Sequence, residues 1–337
     1  MKTVEFDYEL PSEFIAQSPV EPRDASRLLV LNRSTGAISH TIFREVGSFL
    51  NPGDLLVVNQ TRVIPARIYA RKSSGGRVEV LLLRREDLLT WECLVGGKGL
   101  SVGRIIKIED GPDGEIVEVL DGSRRRIRFS EPVEPYFSKI GHVPLPPYIH
   151  EPLRNPERYQ TVYAQDPGSA AAPTAGLHFT RRLLEMLQGN GVNLAYVTLH
   201  VGLDTFAPVK EDDPELHQIH TEWCELPRET AQAINTTHVQ GCKVVAVGTT
   251  SVRTLESAGQ RGTGNVSPFS GPTNLYILPG FQFKVVDAMI TNFHLPKSTL
   301  IMLVCAFAGK ERIFNAYEVA KAEGYRFFSF GDAMLIL

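Results

Sequence analysis

Between Arg62 and His150 the chain carries six short β-type runs, 66–71, 77–84, 89–95, 104–109, 115–120 and 124–129, set apart by Gly, Asp and Ser turns. Runs this short and this evenly spaced do not build helices, and they predict a small closed or nearly closed barrel. Pro132, Pro135, Pro144, Pro146 and Pro147 follow. Each fixes its own φ and restricts the residue before it, so the chain leaves the barrel along a stiff path. An all-β domain inserted at 62–150 is the expectation.

The flanks, 1–61 and 151–337, read differently. The runs at 54–59 (DLLVVN), 193–200 (NLAYVTLH) and 243–247 (KVVAV) are continuously apolar, as strands covered on both faces must be. Thr180 caps a helix over 181–188 that Gly189 and Gly191 end, and Ser251 opens another. Ser298 starts an apolar helix to Ala308, a further helix runs 311–323, and 325–330 reads as a strand. The predicted fold is therefore a larger α/β domain, a mixed sheet with helices, either open or curled into a barrel, interrupted by the small all-β barrel.

Composition excludes several classes. With 337 residues, 43% of them hydrophobic, two cores can be filled. The net charge of −3 advertises no nucleic-acid or membrane partner globally, yet 62–150 holds 15 Lys/Arg against 12 Asp/Glu, leaving 20 basic and 26 acidic residues elsewhere. Leu300 to Ala308 is about half of the roughly 20 apolar residues that span a bilayer, and Lys2, Glu5, Asp7 and Glu9 interrupt any leader core. Cys93, Cys224, Cys242 and Cys305 form no CxxC pair. A cytoplasmic protein without a membrane partner is expected.

Five polar segments follow or flank the strands, where open α/β sheets place ligands. In AAAPTAGLHFT (170–180) small residues around Gly176 admit close approach, and Thr174 and His178 supply polar atoms. TLHVGLDTFAPV (198–209) ends a strand at His200 and turns at Gly202 beside Asp204 and Thr205. VGTTSVRTLE (247–256) joins a strand to a helix through Thr249, Thr250 and Ser251, with Arg253 in its first turn, a setting suited to a carboxylate. In LHQIHTEWCEL (216–226) His217, His220 and Glu222 invite a metal reading. Their spacing argues against it: a helix brings His217 and His220 together but swings Glu222 away, and a strand aligns only His220 and Glu222. DAMITNFHLPKST (287–299) sets Asp287, Asn292, His294 and Lys297 before the apolar helix.

The chain lacks GxxxxGK[ST], GxGxxG, HExxH and GxSxG, which disfavours common nucleotide hydrolysis, dinucleotide redox, zinc proteolysis and serine hydrolysis. The residues alone support an α/β enzyme with a mildly basic inserted barrel, working by His and carboxylate acid–base chemistry.

Read together, IAQSPVEPRDASRLLVL, GDLLVVNQTRVIPARI, PLPPYI, ERYQTVYAQDPGSAAAPTAGLHFT, VTLHVGLDTFAPV, HTEW, VVAVGTTSVRTLES, ITNFHLPKSTL and YRFFSFGDAML resemble, over the whole length, the S-adenosylmethionine:tRNA ribosyltransferase-isomerases of queuosine biosynthesis. Asp204 stands where that family usually has Gly. The resemblance implies transfer of the ribosyl part of S-adenosylmethionine to the aminomethyl-deazaguanine at the tRNA wobble position, giving epoxyqueuosine with release of adenine and methionine. It implies a consumed substrate with no cofactor and no metal, a monomer, and a tRNA anticodon arm as partner.

The proton on the ribose carbon beside a sulfonium is acidic, so a base is needed, and His178, then His294, His200 and His220, with Glu222 and Asp287 behind them, are the catalytic candidates. Thr174, Gly176, Gly202, Thr249, Thr250, Ser251, Arg253 and Asn292 are the candidates for holding the donor. Arg85, Arg124, Arg125 and Arg126 in the barrel are the candidates for phosphate contact, beside Arg67, Arg71, Lys72, Arg84 and Arg128. A metal-dependent hydrolase built on His217, His220 and Glu222, and a non-catalytic tRNA-binding adaptor, are the alternatives.

Overall fold

In a computed structural model, which describes residues 1–153, 155–202, 208–262 and 264–337, the chain forms two compact units. The larger comprises Met1–Arg62, Pro147–Asp166 and Ala172–Leu337; the smaller is Val63–Pro146 with Pro167–Ala171. That last stretch lies outside the 62–150 segment that the sequence marks as inserted.

The larger unit is built on a nine-stranded mixed sheet. Its spatial order is Phe269–Thr273, Glu222–Leu226, Asn193–Leu199, Leu55–Asn59, Val244–Val247, Ala288–Asn292, Ala333–Ile336, Arg27–Leu31 and Ile38–Ile42. The four strands from Asn193–Leu199 to Ala288–Asn292 are parallel. Alternate residues of the central strands enter opposite cores. Leu55, Val57, Val244 and Ala246 join one with Val252, Leu255, Ile301 and Val304. Leu56, Val58, Val245 and Val247 join the other with Phe43, Leu183 and Leu187. This two-sided burial is why these runs are apolar without alternation.

Capping follows the sequence closely. The Thr180 hydroxyl accepts from Leu183 N at 3.1 Å, and Ser298 accepts from Ile301 N at 3.2 Å. The helix expected to open at Ser251 instead spans Thr249–Gly259. Gly248 precedes it at φ 85°, a left-handed conformation open to glycine, while the Ser251 hydroxyl donates back to Val247 O at 2.7 Å. The expected strand at 325–330 is not one. Phe327 makes a single bridge to Ile15, Phe328 is left-handed at φ 68°, and the strand is Ala333–Ile336. Asp332 holds the intervening loop by accepting from the backbone N–H of Arg27 and of Arg326.

The smaller unit is a closed antiparallel barrel of six strands: Arg67–Lys72, Arg77–Arg85, Thr90–Gly96, Arg124–Phe129, Gly114–Val119 and Ile105–Lys107, which pairs back onto Arg67–Lys72. Ile68, Val80, Cys93, Ile106, Ile116 and Ile127 fill its interior. Closure removes the sheet edges that short strands would otherwise expose.

Candidate active site

In the larger unit the four parallel strands end at Leu199, Asn59, Val247 and Asn292, and the polar segments sit beyond these ends. Ala333–Ile336 runs antiparallel beside Ala288–Asn292, so the loop before it comes to the same end, and Arg27–Leu31, parallel to Ala333–Ile336, starts there. Strand order thereby adds Ser26, Phe328 and Ser329, which sequence spacing did not single out. The only signal available was that the runs DASRLLVL and FSFGDAML belong to the resemblance.

One cleft, of about 540 Å³ including its mouth, is lined by Thr174, Gly248, Thr249, Thr250, Thr291, Asn292 and His294 together with Tyr148, Phe328 and Ser329. Thr250 Oγ1 is buried there without a hydrogen-bond partner among the described residues. A second, of about 500 Å³, is lined by Gly202, His217, His220, Glu222, Arg253 and Tyr276. Leu300 lines both.

In the second cleft Arg253 and Glu222 form an ion pair with side chains 7% and 6% exposed. Glu222 Oε1 also accepts from Gly202 N at 2.8 Å, and Arg253 Nε donates to Leu275 O at 3.1 Å. Arg253 Nη2 remains buried and without a partner among the described residues. A buried guanidinium N–H left over after its own ion pair is formed is a ready donor for an incoming carboxylate.

The histidines divide. His178 is enclosed: its Nδ1 lies 2.7 Å from Ser26 Oγ, its Nε2 accepts from Asn292 Nδ2 at 3.1 Å, and Phe43 packs against the ring. Burial, aided by Arg326 and Arg23, pushes its pKa down to about 3, so it is neutral. It does not line the first cleft. It is linked to the cleft lining by Asn292, whose Oδ1 accepts from Thr174 Oγ1 at 3.0 Å. His294 lines the cleft directly, with Nε2 2.7 Å from Thr291 Oγ1, its backbone N–H donating to Tyr317 and its carbonyl accepting from Tyr8. Burial lowers its pKa to about 3 as well.

His200 stacks on Trp223 with ring centroids 5.5 Å apart and meets Thr61 Oγ1 at 2.8 Å. Its pKa is lowered by burial against an opposing pull from Asp166. His220 is exposed at the rim of the second cleft.

Three expected residues serve elsewhere. Asp287 precedes its strand, at the opposite end of the sheet, where it faces His238 at 3.3 Å and accepts from Val244 N. Gly176 is glycine for packing, since a side chain would run into the Tyr163 hydroxyl. Ser251 is turned back onto Val247 O at the end of the strand before its helix. Asp204 and Thr205 lie outside the described residues. His217 meets Glu211 at 2.9 Å, and Glu222 is committed to Arg253. Among the described residues no group of three or more His, Cys, Asp or Glu side chains is placed to hold a metal ion.

In the barrel the arginines expected to meet phosphate are engaged internally. Arg124 pairs with Glu92 at 3.2 Å, Arg126 with Glu86 and Glu118, and Arg85 with Glu134 at 3.0 Å. Arg125 donates to the carbonyls of Leu100, Gly122 and Arg124.

A family model described as queuosine biosynthesis protein matches residues 3–336. The chain belongs to that family. It is 53% identical over 340 residues, all of both chains, to a protein of Carboxydothermus hydrogenoformans called S-adenosylmethionine:tRNA ribosyltransferase-isomerase. A protein of Symbiobacterium thermophilum with the same designation is 54% identical over 342 residues, again covering both chains in full. The fold is similar to a crystal structure of S-adenosylmethionine tRNA ribosyltransferase from Thermotoga maritima, with 42% identity, a TM-score of 0.59, and 99% of this chain and 100% of that one covered. As a member of the family the chain has the mixed α/β sheet and closed barrel described above. No described helix is long and apolar enough to cross a membrane.

Proposed function

We propose that this chain transfers the ribosyl part of S-adenosylmethionine to 7-aminomethyl-7-deazaguanine at the wobble position of tRNA and isomerises it to epoxyqueuosine, releasing adenine and methionine. The observation that carries the donor's placement is Arg253 Nη2, buried and unpartnered in a cleft that adjoins, at Leu300, the cleft of Thr174, Gly248 and Thr250. The adenosine part of the donor occupies the first cleft, where small and hydroxyl residues leave room, and its amino-acid tail passes Leu300 so that the carboxylate meets Arg253. Thr250 Oγ1 gains its missing partner from the donor.

The chemistry then asks for a proton acceptor near the ribose carbon that bears the sulfonium. His294 lines this cleft, and its ring is the proton acceptor this reading places there. Loss of adenine with ring opening leaves an electrophile that the RNA amine attacks. His178 holds Asn292, and Asn292 holds Thr174, so this chain of hydrogen bonds fixes the wall against which the donor lies. S-adenosylmethionine is consumed as a substrate; no further cofactor or metal enters this reading, and the enzyme works as a cytoplasmic monomer. The test is turnover of labelled S-adenosylmethionine with tRNA carrying the precursor base, followed by nucleoside analysis. Adenine release together with label in the tRNA nucleoside is expected; neither product would refute the reading.

A further inference from the structure

With Arg124, Arg125, Arg126 and Arg85 held in internal contacts, a different group of the barrel's cations is without such contacts. Cross-strand register sets Arg71 opposite Arg77 on one side and opposite Lys107 on the other. Three cations thus form one row across three neighbouring strands. Residues in register share a face, and here it is the outer one: Arg71, Arg77 and Lys107 are exposed, whereas Ala70, Val78 and Ile106 beside them are buried. Among the described residues none of the three side chains makes a hydrogen bond or ion pair.

Like charges directly opposite one another destabilise a sheet, so folding alone gives no reason for this row. The groove it borders also holds Lys72, with Glu79, Glu109 and Asp113 as its acids, and Glu79 is already paired with Arg67 at 3.0 Å. On the same face, two residues before Arg71, Tyr69 is 54% exposed and packs against the His142 ring at 5.1 Å between centroids. A line of unpaired cations beside an exposed aromatic pair matches a single-stranded or looped RNA, whose phosphates take the forked guanidinium donors and whose unpaired bases stack on rings.

We infer that the row of Arg77, Arg71 and Lys107, with Tyr69 and His142 beside it, is the surface on which the barrel takes the phosphate backbone of the acceptor RNA. The inference rests on the tRNA acceptor proposed above and names where the barrel meets it.

The experiment titrates precursor-modified tRNA over a salt series against the unmodified protein, the triple variant R71Q/R77Q/K107Q and the comparison variant R124Q/R125Q/R126Q. Each phosphate contact contributes about 0.7–0.9 to the slope of log K against log salt, so the first variant loses about two to three units of slope and at least about tenfold in affinity at low salt. The comparison variant keeps the full slope. The thermal midpoint of the first variant stays level or rises, because a repulsion has been removed; should it unfold instead, R71Q alone takes away the middle of the row and lowers the slope by about one. Equal slopes for the unmodified protein and the R71Q/R77Q/K107Q or R71Q variants would overturn the inference, as would a slope lost only by R124Q/R125Q/R126Q. Adenine release by the unmodified protein separates the two readings. Binding through this row without adenine release would sink the transferase reading and leave the row standing, and adenine release with unchanged slopes would do the reverse.

Discussion

Arg253 and Glu222 face each other as a buried ion pair, and the guanidinium's Nη2 has no partner among the described residues beside the cleft. Removing one partner of such a pair strands the other charge in the interior, at about 3–5 kcal/mol. Glu222→Ala is therefore expected to lower unfolding stability by that amount in urea titration. Replacing both, as R253M/E222L, should recover most of the loss while abolishing donor binding. Arg253→Lys keeps the charge but loses the fork, so calorimetry should show weakened S-adenosylmethionine binding in a folded protein, and Thr250→Ala should weaken it further. Full affinity in Arg253→Lys and Thr250→Ala would move the donor elsewhere.

The two histidines at the site give stability a recognisable pH dependence. His178 and His294 each have a pKa of about 3 in the folded chain, against an ordinary value near 6.5 in the unfolded one. The unfolded state thus takes up protons first as pH falls. Their contribution is complete above about pH 6.5 and lost as pH drops toward 3, at up to about 1.4 kcal/mol per pH unit for each. Most carboxylates titrate lower down, so the window from pH 6.5 to 5 is dominated by the histidines. The thermal midpoint should fall steeply there, and His178→Asn should flatten the fall in part; a flat midpoint in the unmodified protein would contradict the burial of both rings.

Asp287 gives a third test. Burial raises its pKa, but the hydrogen bond from His238 and that from Val244 N outweigh burial and hold it below the ordinary carboxylate range, so it is ionised and occupied at neutral pH. It also stands at the wrong end of its strand for the clefts. Asp287→Asn should retain kcat within about threefold, far inside the loss that a general base would show. Its effect belongs to stability: the folded pKa is depressed, so the pair's contribution from Asp287 is present above the unfolded pKa near 3.9 and disappears as pH falls below it.

The barrel was legible because its six runs are too short and too closely punctuated for any other element, and the central strands because two-sided burial leaves a continuous apolar signature. Thr180 and Ser298 were legible as caps because a hydroxyl before a helical pattern has a local partner. The run at 325–330 was misread for the converse reason: Phe327, Phe328 and Phe330 have strand propensity, but Asp332 folds the segment back through contacts with Arg27, about 300 residues away in sequence. Ser26 and Ser329 reach the site only because Arg27–Leu31 and Ala333–Ile336 lie next to Ala288–Asn292, and strand order is not written in spacing. Arg124 and Arg126 look like free charge in sequence because their acids, Glu92 and Glu86, come from other segments of the barrel chain.

Replacing His178, His200, His220 and His294 singly by Ala, and measuring adenine release at saturating substrates, decides which ring does the chemistry. The sequence favours His178, flanked by small residues before a helix. The structure favours His294, which lines the cleft, whereas both nitrogens of His178 are taken by Ser26 and Asn292. His294→Ala should lower kcat by about 10²–10⁴-fold with tRNA affinity intact, the loss typical of a positioned acid or base. His178→Ala should act through Asn292: kcat falls less, donor KM rises, and a pH–rate profile keeps its shape because the ring does not titrate in the working range. Asn292→Ala should reproduce that pattern, and the double variant should add little to either single one, since both break the same chain of hydrogen bonds. If His294→Ala and the other three variants all kept kcat within about threefold, histidine catalysis would be rejected, since a general base contributes far more than that. Glu222 would then be the remaining base to test, through Glu222→Gln, whose side-chain oxygen can still accept from Gly202 N and Arg253.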